Sequence, residues 1–321
     1  MTYRNSLQGR FVATGYPAVG MLVVSFFLWA LSAVRGVGWG CTLPVLWEMG
    51  DIASRAISLL AYVAAAFVLG NMYLFERRVP FLPAVFMWLT AVLPFVQPCY
   101  MCAISLLLLL IAVVQLLECD RSANPQRVIY GAFAMLTASS LVAAQLLLLL
   151  PLFVAYIFVA RVARASGIAA ALLGVLTPLW LLWGGIYVFP SMEVLVLPAK
   201  QSLAAIVPFT GLCLPPLLCA ALAMDLLVLV VAASIYATSS YPAKPLLRRR
   251  LLFLLMLDAY MLLLTLVFPH DSLLFLVWRM PVVAVMASYV FSMKVTKVSN
   301  IYFVSLNVAW LLIAVICLWM G

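Results

Sequence analysis

Charged residues are scarce in this chain. Only 8% of its 321 residues are Asp, Glu, Lys or Arg, and it has a single histidine. Soluble globular domains are about 25% charged and about 45–50% apolar, whereas this chain is 68% hydrophobic. The composition therefore excludes a soluble domain, a disordered chain and a small secreted module held together by disulfides.

The sequence also lacks the motifs of most well-known enzyme classes. It has no P-loop, no dinucleotide-binding fingerprint and no Ser-His-Asp order, so ATP-driven transport would need separate ATPase subunits. With one histidine, it has no His/Cys/carboxylate cluster at zinc spacing. No aromatic-basic motif for nucleic acid is visible. We therefore expect no metal, no cofactor and no nucleic-acid partner.

Long apolar runs fill the chain instead, and many reach the roughly 20 residues that a membrane-spanning helix needs. They predict an all-α, polytopic transmembrane helix bundle of eleven helices, with ten as the alternative. Residues 1–321 would form one membrane-embedded domain without a separate soluble domain. The first run resembles a signal peptide but lacks an A-x-A cleavage site, so we interpret it as a retained span. The predicted spans are 17–34, 56–75, 80–97, 100–117, 128–144, 145–160, 166–188, 217–238, 250–268, 272–292 and 299–320.

The positive charges predict the orientation. If the N-terminus is cytoplasmic and every run crosses, fourteen of the 18 Lys and Arg residues fall on the cytoplasmic side, as the positive-inside rule expects. Arg35, Arg55 and Lys200 then lie outside or near the outer face, and Arg279 lies inside a span. This orientation places the C-terminus on the outer side, which is the periplasmic side in a bacterium. The fourteen residues are Arg4, Arg10, Arg77, Arg78, Arg121, Arg127, Arg161, Arg164, Lys244, Arg248, Arg249, Arg250, Lys294 and Lys297.

Prolines mark the places where this pattern is ambiguous. Residues 128–160 are nearly all apolar but include Pro151, and a hairpin of two short helices fits the charge rule better than one long helix. Residues 189–216 contain five prolines, which favours an interfacial or re-entrant segment. Prolines inside other apolar runs predict helix kinks; these are Pro83, Pro94, Pro178 and Pro281.

Ionisable residues inside spans are rare and costly, and in this chain they gather in the C-terminal third. Asp225, Asp258 and Arg279 lie within predicted spans, toward their outer halves, and His270 and Asp271 form the turn between two of these spans. An ion pair of Arg279 with either aspartate would relieve the burial cost. Such a pair either fixes the helix register or lines a polar pocket that opens to the periplasm. In the second case Arg279 would bind an anionic headgroup or lipid pyrophosphate, with a carboxylate as base or proton carrier.

A second candidate site consists of cysteines. Cys99 and Cys102 form a C-x-x-C motif at the outer start of a predicted helix, where thiol pKa values are lowered and disulfide exchange is favoured. Cys41 and Cys213 are predicted near the same face. The motif is compatible with a redox pair, with a structural periplasmic disulfide, or with unreactive thiols that only fill space.

Several stretches resemble an uncharacterised family of Bacteroidota multi-pass inner-membrane proteins, known as a domain of unknown function. The similarity lies in Ser105–Glu118, in Tyr130–Gly167, in Gly174–Phe189 with its Thr-Pro-Leu-Trp segment, and in Ser299–Leu312. The resemblance implies an envelope location and a fold of about ten helices. It implies no activity and no catalytic residue.

These residues leave three functions open. The first is a non-enzymatic carrier, or the membrane component of an assembly, with a lipid-linked or small anionic substrate. The second is a glycan transferase or polymerase that uses a polyprenyl-linked donor, although such enzymes usually carry several arginines and a large outer loop. The third is a thiol oxidoreductase that uses Cys99 and Cys102. The sequence favours a protein that is not an enzyme, and it predicts the lipid bilayer and other envelope membrane proteins as its partners.

Overall fold

The computed structural model describes most of the chain. The described residues are 8–9, 11, 16–35, 51–72, 79, 81–94, 97, 99–189, 191, 200–201, 203, 208, 215–239, 245–292 and 297–320. Within them the protein is all-helical, with eleven α-helices. The helices are α1 (Tyr16–Arg35), α2 (Asp51–Asn71), α3 (Leu82–Val92), α4 (Tyr100–Glu118), α5 (Pro125–Val142), α6 (Leu150–Val159), α7 (Ala165–Val188), α8 (Pro216–Ser239), α9 (Pro245–Val267), α10 (Ser272–Ser292) and α11 (Lys297–Met320).

The predicted all-helical membrane fold is confirmed in its general form. Among the described residues, eight helices are long and apolar enough to cross a bilayer: α1, α2, α4, α7, α8, α9, α10 and α11. A helix satisfies its own backbone hydrogen bonds, so apolar runs of this length form helices in lipid. The multi-pass character of the protein follows from these eight helices.

Helix α10 is the axis of the bundle. It packs against α3, α4, α8 and α9, and 94% of its span is buried within the protein. Its residues are apolar on all sides, as expected for a helix surrounded by other helices. One side-chain hydrogen bond fixes it to α4, because the Trp278 indole N–H donates to the Ser105 hydroxyl at 2.9 Å.

Helix α3 is shorter than the apolar run that contains it. The run predicts a span over residues 80–97, but the helix covers 11 residues and is about 16 Å long. All of its residues except Pro83 are buried. Pro83 lies in its first turn and Pro94 lies beyond its end, so the kinks predicted at these two prolines are wrong. The two prolines instead flank a short helix that other helices cover.

The apolar run 128–160 divides into two helices, as the hairpin hypothesis expects. The break is at the extended residue Ala143 rather than at Pro151, and a 3-10 helix over Ala144–Leu149 leads into α6. Pro151 lies in the first turn of α6, where a proline costs no hydrogen bond. The 3-10 helix rises about 2.0 Å per residue and α6 about 1.5 Å, which gives roughly 27 Å together.

Pro178 and Pro281, the other two prolines predicted to kink helices, lie inside α7 and α10, respectively. Most of the predicted interfacial segment 189–216 lies outside the described residues.

The N-terminal segment is fixed to the last two helices. The Gln8 amide group donates to the Phe291 carbonyl at 3.0 Å and accepts from the Ser299 hydroxyl at 2.7 Å. The Gln8 backbone N–H donates to the Asn300 side chain at 3.1 Å. At the other end of α1, Arg35 donates to the Leu318 carbonyl at 2.8 Å. Helices α1 and α11 therefore begin at one end of the bundle and finish at the other.

Glycine allows α7 to approach α5 closely. A Cβ atom on Gly174 would lie 2.6 Å from the Tyr130 carbonyl oxygen and 2.9 Å from the Phe133 Cβ, whereas a Cβ on Gly184 would meet nothing within 4 Å. Such small residues permit tight helix contacts in membranes.

We expect Gly174→Val to lower the melting temperature of the purified protein, because overpacking a close contact costs about 1–3 kcal/mol. The matched control is Gly184→Val in the same helix, which carries the same β-branching cost but has open space. Thermal unfolding in detergent, followed by size-exclusion chromatography, measures both. Equal melting temperatures for the two variants would contradict the close α5–α7 packing.

Candidate functional site

Three charged side chains from three helices meet beside the central helix. Asp225 belongs to α8, Asp258 to α9 and Arg279 to α10. The Arg279 Nε atom donates to Asp258 Oδ1 at 2.8 Å and its Nη2 atom donates to Oδ2 at 3.3 Å. Asp225 Oδ2 lies 4.0 Å from Arg279 Nη1. We call these three residues the charged triad.

The triad is closed to solvent and electrically unbalanced. Arg279 is 0% exposed, Asp258 1% and Asp225 6%. Two carboxylates and one guanidinium carry a net charge of −1 when all three are ionised. Charge of this kind is costly in a low-dielectric interior, so uptake of one proton by a carboxyl group would neutralise the triad.

The two aspartates do not occupy equivalent positions. Asp258 makes two hydrogen bonds to the guanidinium in a bidentate arrangement, which is the stronger geometry. Arg279 Nη1 has no hydrogen-bond partner among the described side chains and backbone, because Asp225 is too distant to accept from it. Asp258 is therefore the structural partner of Arg279, and Asp225 is the carboxylate that the pair does not require.

Asp225 also borders a small cavity between α3, α8, α10 and α11. The cavity has a volume of about 10 Å³, close to the minimum that holds one water molecule. Its other walls are apolar, with Leu89, Val283, Trp310 and Ile313 among them. A proton or a water molecule fits beside Asp225, whereas a substrate-sized anion does not fit in this conformation.

The other two predicted pocket residues lie in the turn between α9 and α10. Pro269–Asp271 forms a 3-10 turn in which His270 is exposed and Asp271 is 1% exposed. The Asp271 carboxylate interacts with Gln145 of the 3-10 helix that precedes α6. Among the contacts of the described residues, none joins His270 or Asp271 to the charged triad, so the predicted five-residue group divides into two parts.

The predicted redox pair is not a disulfide between its own two members. Cys99 is disulfide-bonded, and Cys102 is not part of a disulfide. Cys102 is 0% exposed. The Cys99 sulfur accepts a hydrogen bond from the Cys102 backbone N–H at 3.4 Å and caps α4. The motif thus holds one disulfide and one buried thiol at the first turn of that helix.

A polar network at the opposite end of α4 was missed from the sequence. The Tyr156 hydroxyl and the Cys119 thiol each donate to Asp120 Oδ1 at 3.3 Å, and Arg249 donates to the Ala160 carbonyl at 3.4 Å. Burial raises the pKa of the Cys119 thiol, and the negative charge of Asp120 raises it further. The dense polar stretch after Glu118 is the feature of the sequence that indicates this network, but the charge rule uses its charges only to predict the orientation.

A second missed cluster lies at the Cys99 end of the bundle. Arg55, which the charge pattern predicts outside or near the outer face, is 6% exposed and donates to Asp51 at 2.9 Å. Its Nη1 atom lies 3.4 Å from the Ser32 hydroxyl, which donates to Gln97 at 2.7 Å. These contacts join α1, α2 and the residues before α4. Among the described residues, no group of three or more His, Cys, Asp or Glu side chains is placed to hold a metal ion.

We expect Asp258→Asn to destabilise the protein strongly, because it leaves the buried guanidinium without its bidentate partner, a loss worth about 3–5 kcal/mol. Asp225→Asn is the matched control, since it preserves the close pair and removes the excess negative charge. Thermal unfolding in detergent at neutral pH measures both. A loss of stability for Asp225→Asn as large as that for Asp258→Asn would show that the two carboxylates are equivalent.

Comparison of the chain with protein families, with curated proteins and with solved structures gave no significant match.

Proposed function

We propose that this multi-pass membrane protein resides in the inner membrane of a bacterium, with a cytoplasmic N-terminus and eleven crossings. In this proposal it is a non-enzymatic carrier, or the membrane component of an envelope assembly, that handles a lipid-linked or small anionic substrate. The charged triad couples its conformation to proton uptake.

The distribution of polar contacts supports this orientation. Among the described basic residues, Arg121, Arg249 and Arg250 lie together at the end of the bundle where α4 finishes and α9 begins, as the positive-inside rule expects for the cytoplasmic face. Cys99 lies at the other end of α4 and is disulfide-bonded. Disulfides persist in oxidising compartments such as the periplasm, so the Cys99 end fits the outer face.

The contacts of Gln8 support an odd number of crossings. Gln8 binds Phe291, Ser299 and Asn300, which lie at the end of α10 and the start of α11. If all eleven helices cross, the N-terminus and the start of α11 are on the same side of the membrane. Ten crossings would separate them.

One observation carries the functional proposal: the charged triad contains one carboxylate more than its guanidinium needs. Excess charge inside a membrane protein costs free energy, and ionisable residues in such positions typically mark a functional site. The groups that face Asp225 are Arg279 from α10 and Asp258 from α9, while α3 and α11 contribute apolar side chains. Protonation of Asp225 would remove its attraction to Arg279 and alter the contact between α8 and α10.

One feature argues against the thiol oxidoreductase. Cys102 is fully buried, which keeps a thiol oxidoreductase substrate from reaching it.

The orientation is testable with single cysteines at two exposed residues, Ala123 and His270. In intact cells we expect a membrane-impermeant maleimide to label His270→Cys and to leave Ala123→Cys unlabelled, because Ala123 faces the cytoplasm in this proposal. Both variants should label after the cells are opened. The reverse pattern would invert the proposed topology.

The role of the charged triad is testable in a strain that lacks the protein. We expect deletion to change the envelope lipid or solute content measured by mass spectrometry, and the wild-type gene to restore it. Asp225→Asn should fail to restore it, because the carboxylate that binds the proton is gone.

Asp51→Asn is the matched control, since its side chain is 60% exposed, and immunoblots establish equal abundance in the membrane. Full restoration by Asp225→Asn would remove the triad from the mechanism. An unchanged envelope in the deletion strain would contradict the carrier proposal itself.

A further inference from the structure

A polar cavity lies at the end of the bundle where α4 finishes and α9 begins. Its volume is about 330 Å³, at the lower end of the usual range for ligand pockets. Glu118, Arg121, Ser122 and Arg250 form its polar wall, and Met72 and Leu117 belong to its apolar wall. It is far larger than the cavity at Asp225, and it lies at the opposite end of the protein from the Cys99 disulfide.

The residues that line the cavity carry two positive charges and one negative charge. Arg121 and Arg250 supply two guanidinium groups against the carboxylate of Glu118. Asp120, which accepts from the Tyr156 hydroxyl and the Cys119 thiol, does not line the cavity but also attracts Arg250. The two arginines repel each other electrostatically. Arg250 is 2% exposed, so its charge is held inside the protein. An anion between two guanidinium groups relieves this repulsion, and phosphate matches their paired donors.

An apolar crevice continues from this cavity toward the middle of the membrane. Met72 lines both spaces. Helices α2 and α9 form the walls of the crevice, and α4 and α10 form its floor, with Leu110, Val113 and Val282 in contact with the space. The crevice is small, about 20 Å³, so a hydrocarbon chain would lie along its opening rather than inside it.

The spacing of residues on α9 gives the length of the combined groove. Arg250 lines the cavity, and Leu254, Leu257 and Met261 line the crevice; these positions share one face of the helix. Eleven residues separate Arg250 from Met261, about 16 Å along the helix axis. One leaflet of hydrocarbon is about half of 30 Å, so the groove extends from the headgroup level to the middle of the bilayer.

We propose that the groove between α2 and α9 binds an anionic phospholipid from the leaflet on the arginine side. The phosphate lies between Arg121 and Arg250, and one acyl chain lies along the crevice. A free phosphate ion would satisfy the two arginines but would leave the apolar part of the groove unused. The site is separate from the charged triad and requires only that the protein lies in a membrane, so it stands independently of the carrier proposal.

The full-length protein, delipidated in neutral detergent, provides the test. We expect added phosphatidylglycerol to raise the melting temperature by several degrees and to give a bound-lipid peak in native mass spectrometry. Phosphatidylcholine should give a much smaller effect, because its headgroup has no net charge. Glycerol 3-phosphate and inorganic phosphate carry the anion without the chain and should not reproduce the shift. If either does, the site binds a free anion and the lipid proposal is wrong.

Variants then assign the response to this groove. Arg121→Gln changes an exposed side chain outside the helices and should reduce the apparent affinity for phosphatidylglycerol at least tenfold. Arg250→Gln should reduce the affinity in the same way if the variant folds. If it does not fold, Arg121→Gln alone decides whether the groove binds the lipid. Arg127→Gln is the matched control, because Arg127 is exposed at the same end but does not line the cavity.

Equal responses of Arg121→Gln and wild type would overturn the site, as would equal stabilisation by the two phospholipids. Asp225→Asn separates this proposal from the previous one. It should retain the phosphatidylglycerol response in full, whatever its effect on the envelope of the deletion strain.

Discussion

The guanidinium of Arg279 constrains the arrangement of the three helices around it. It lies on the most buried helix of the bundle and has no access to solvent. A guanidinium in that position is tolerated only if carboxylates reach it from neighbouring helices at the same depth. Asp258 on α9 does so at hydrogen-bond distance and Asp225 on α8 at ion-pair distance. A shift of either helix by one turn, about 5.4 Å, would break these contacts, so the triad sets the register of α8 and α9 against α10.

The short helical segments also have their backbone groups satisfied within the protein. Helix α3 and the 3-10 segment before α6 have backbone groups that hydrocarbon could not hydrate. α3 is covered on all sides, and the Tyr260 hydroxyl donates to the Leu148 carbonyl of the 3-10 helix at 2.9 Å. Irregular backbone thus occurs where protein rather than lipid surrounds it.

Hydropathy predicted the long helices well and the interrupted ones less well. The predicted span 272–292 coincides with α10, and 217–238 differs from α8 by one residue at each end. The helix within the predicted span 80–97 is shorter than the apolar run, because an apolar run indicates burial in lipid or protein and not continuity of the helix. The gathering of Asp225, Asp258 and Arg279 could be predicted because charges in spans are rare. Which of the two aspartates forms the close pair with Arg279 could not be predicted, since that depends on how the side chains of three helices interdigitate.

The contacts of Gln8 have a consequence for the order of assembly. Gln8 and its partner Asn300 are 292 positions apart. A ribosome adds about 5–20 residues per second, so roughly 15–60 s pass between their syntheses. The three hydrogen bonds of Gln8 therefore cannot all form until the start of α11 has been synthesised. The N-terminal segment stays undocked for that interval, while the intervening helices enter the membrane.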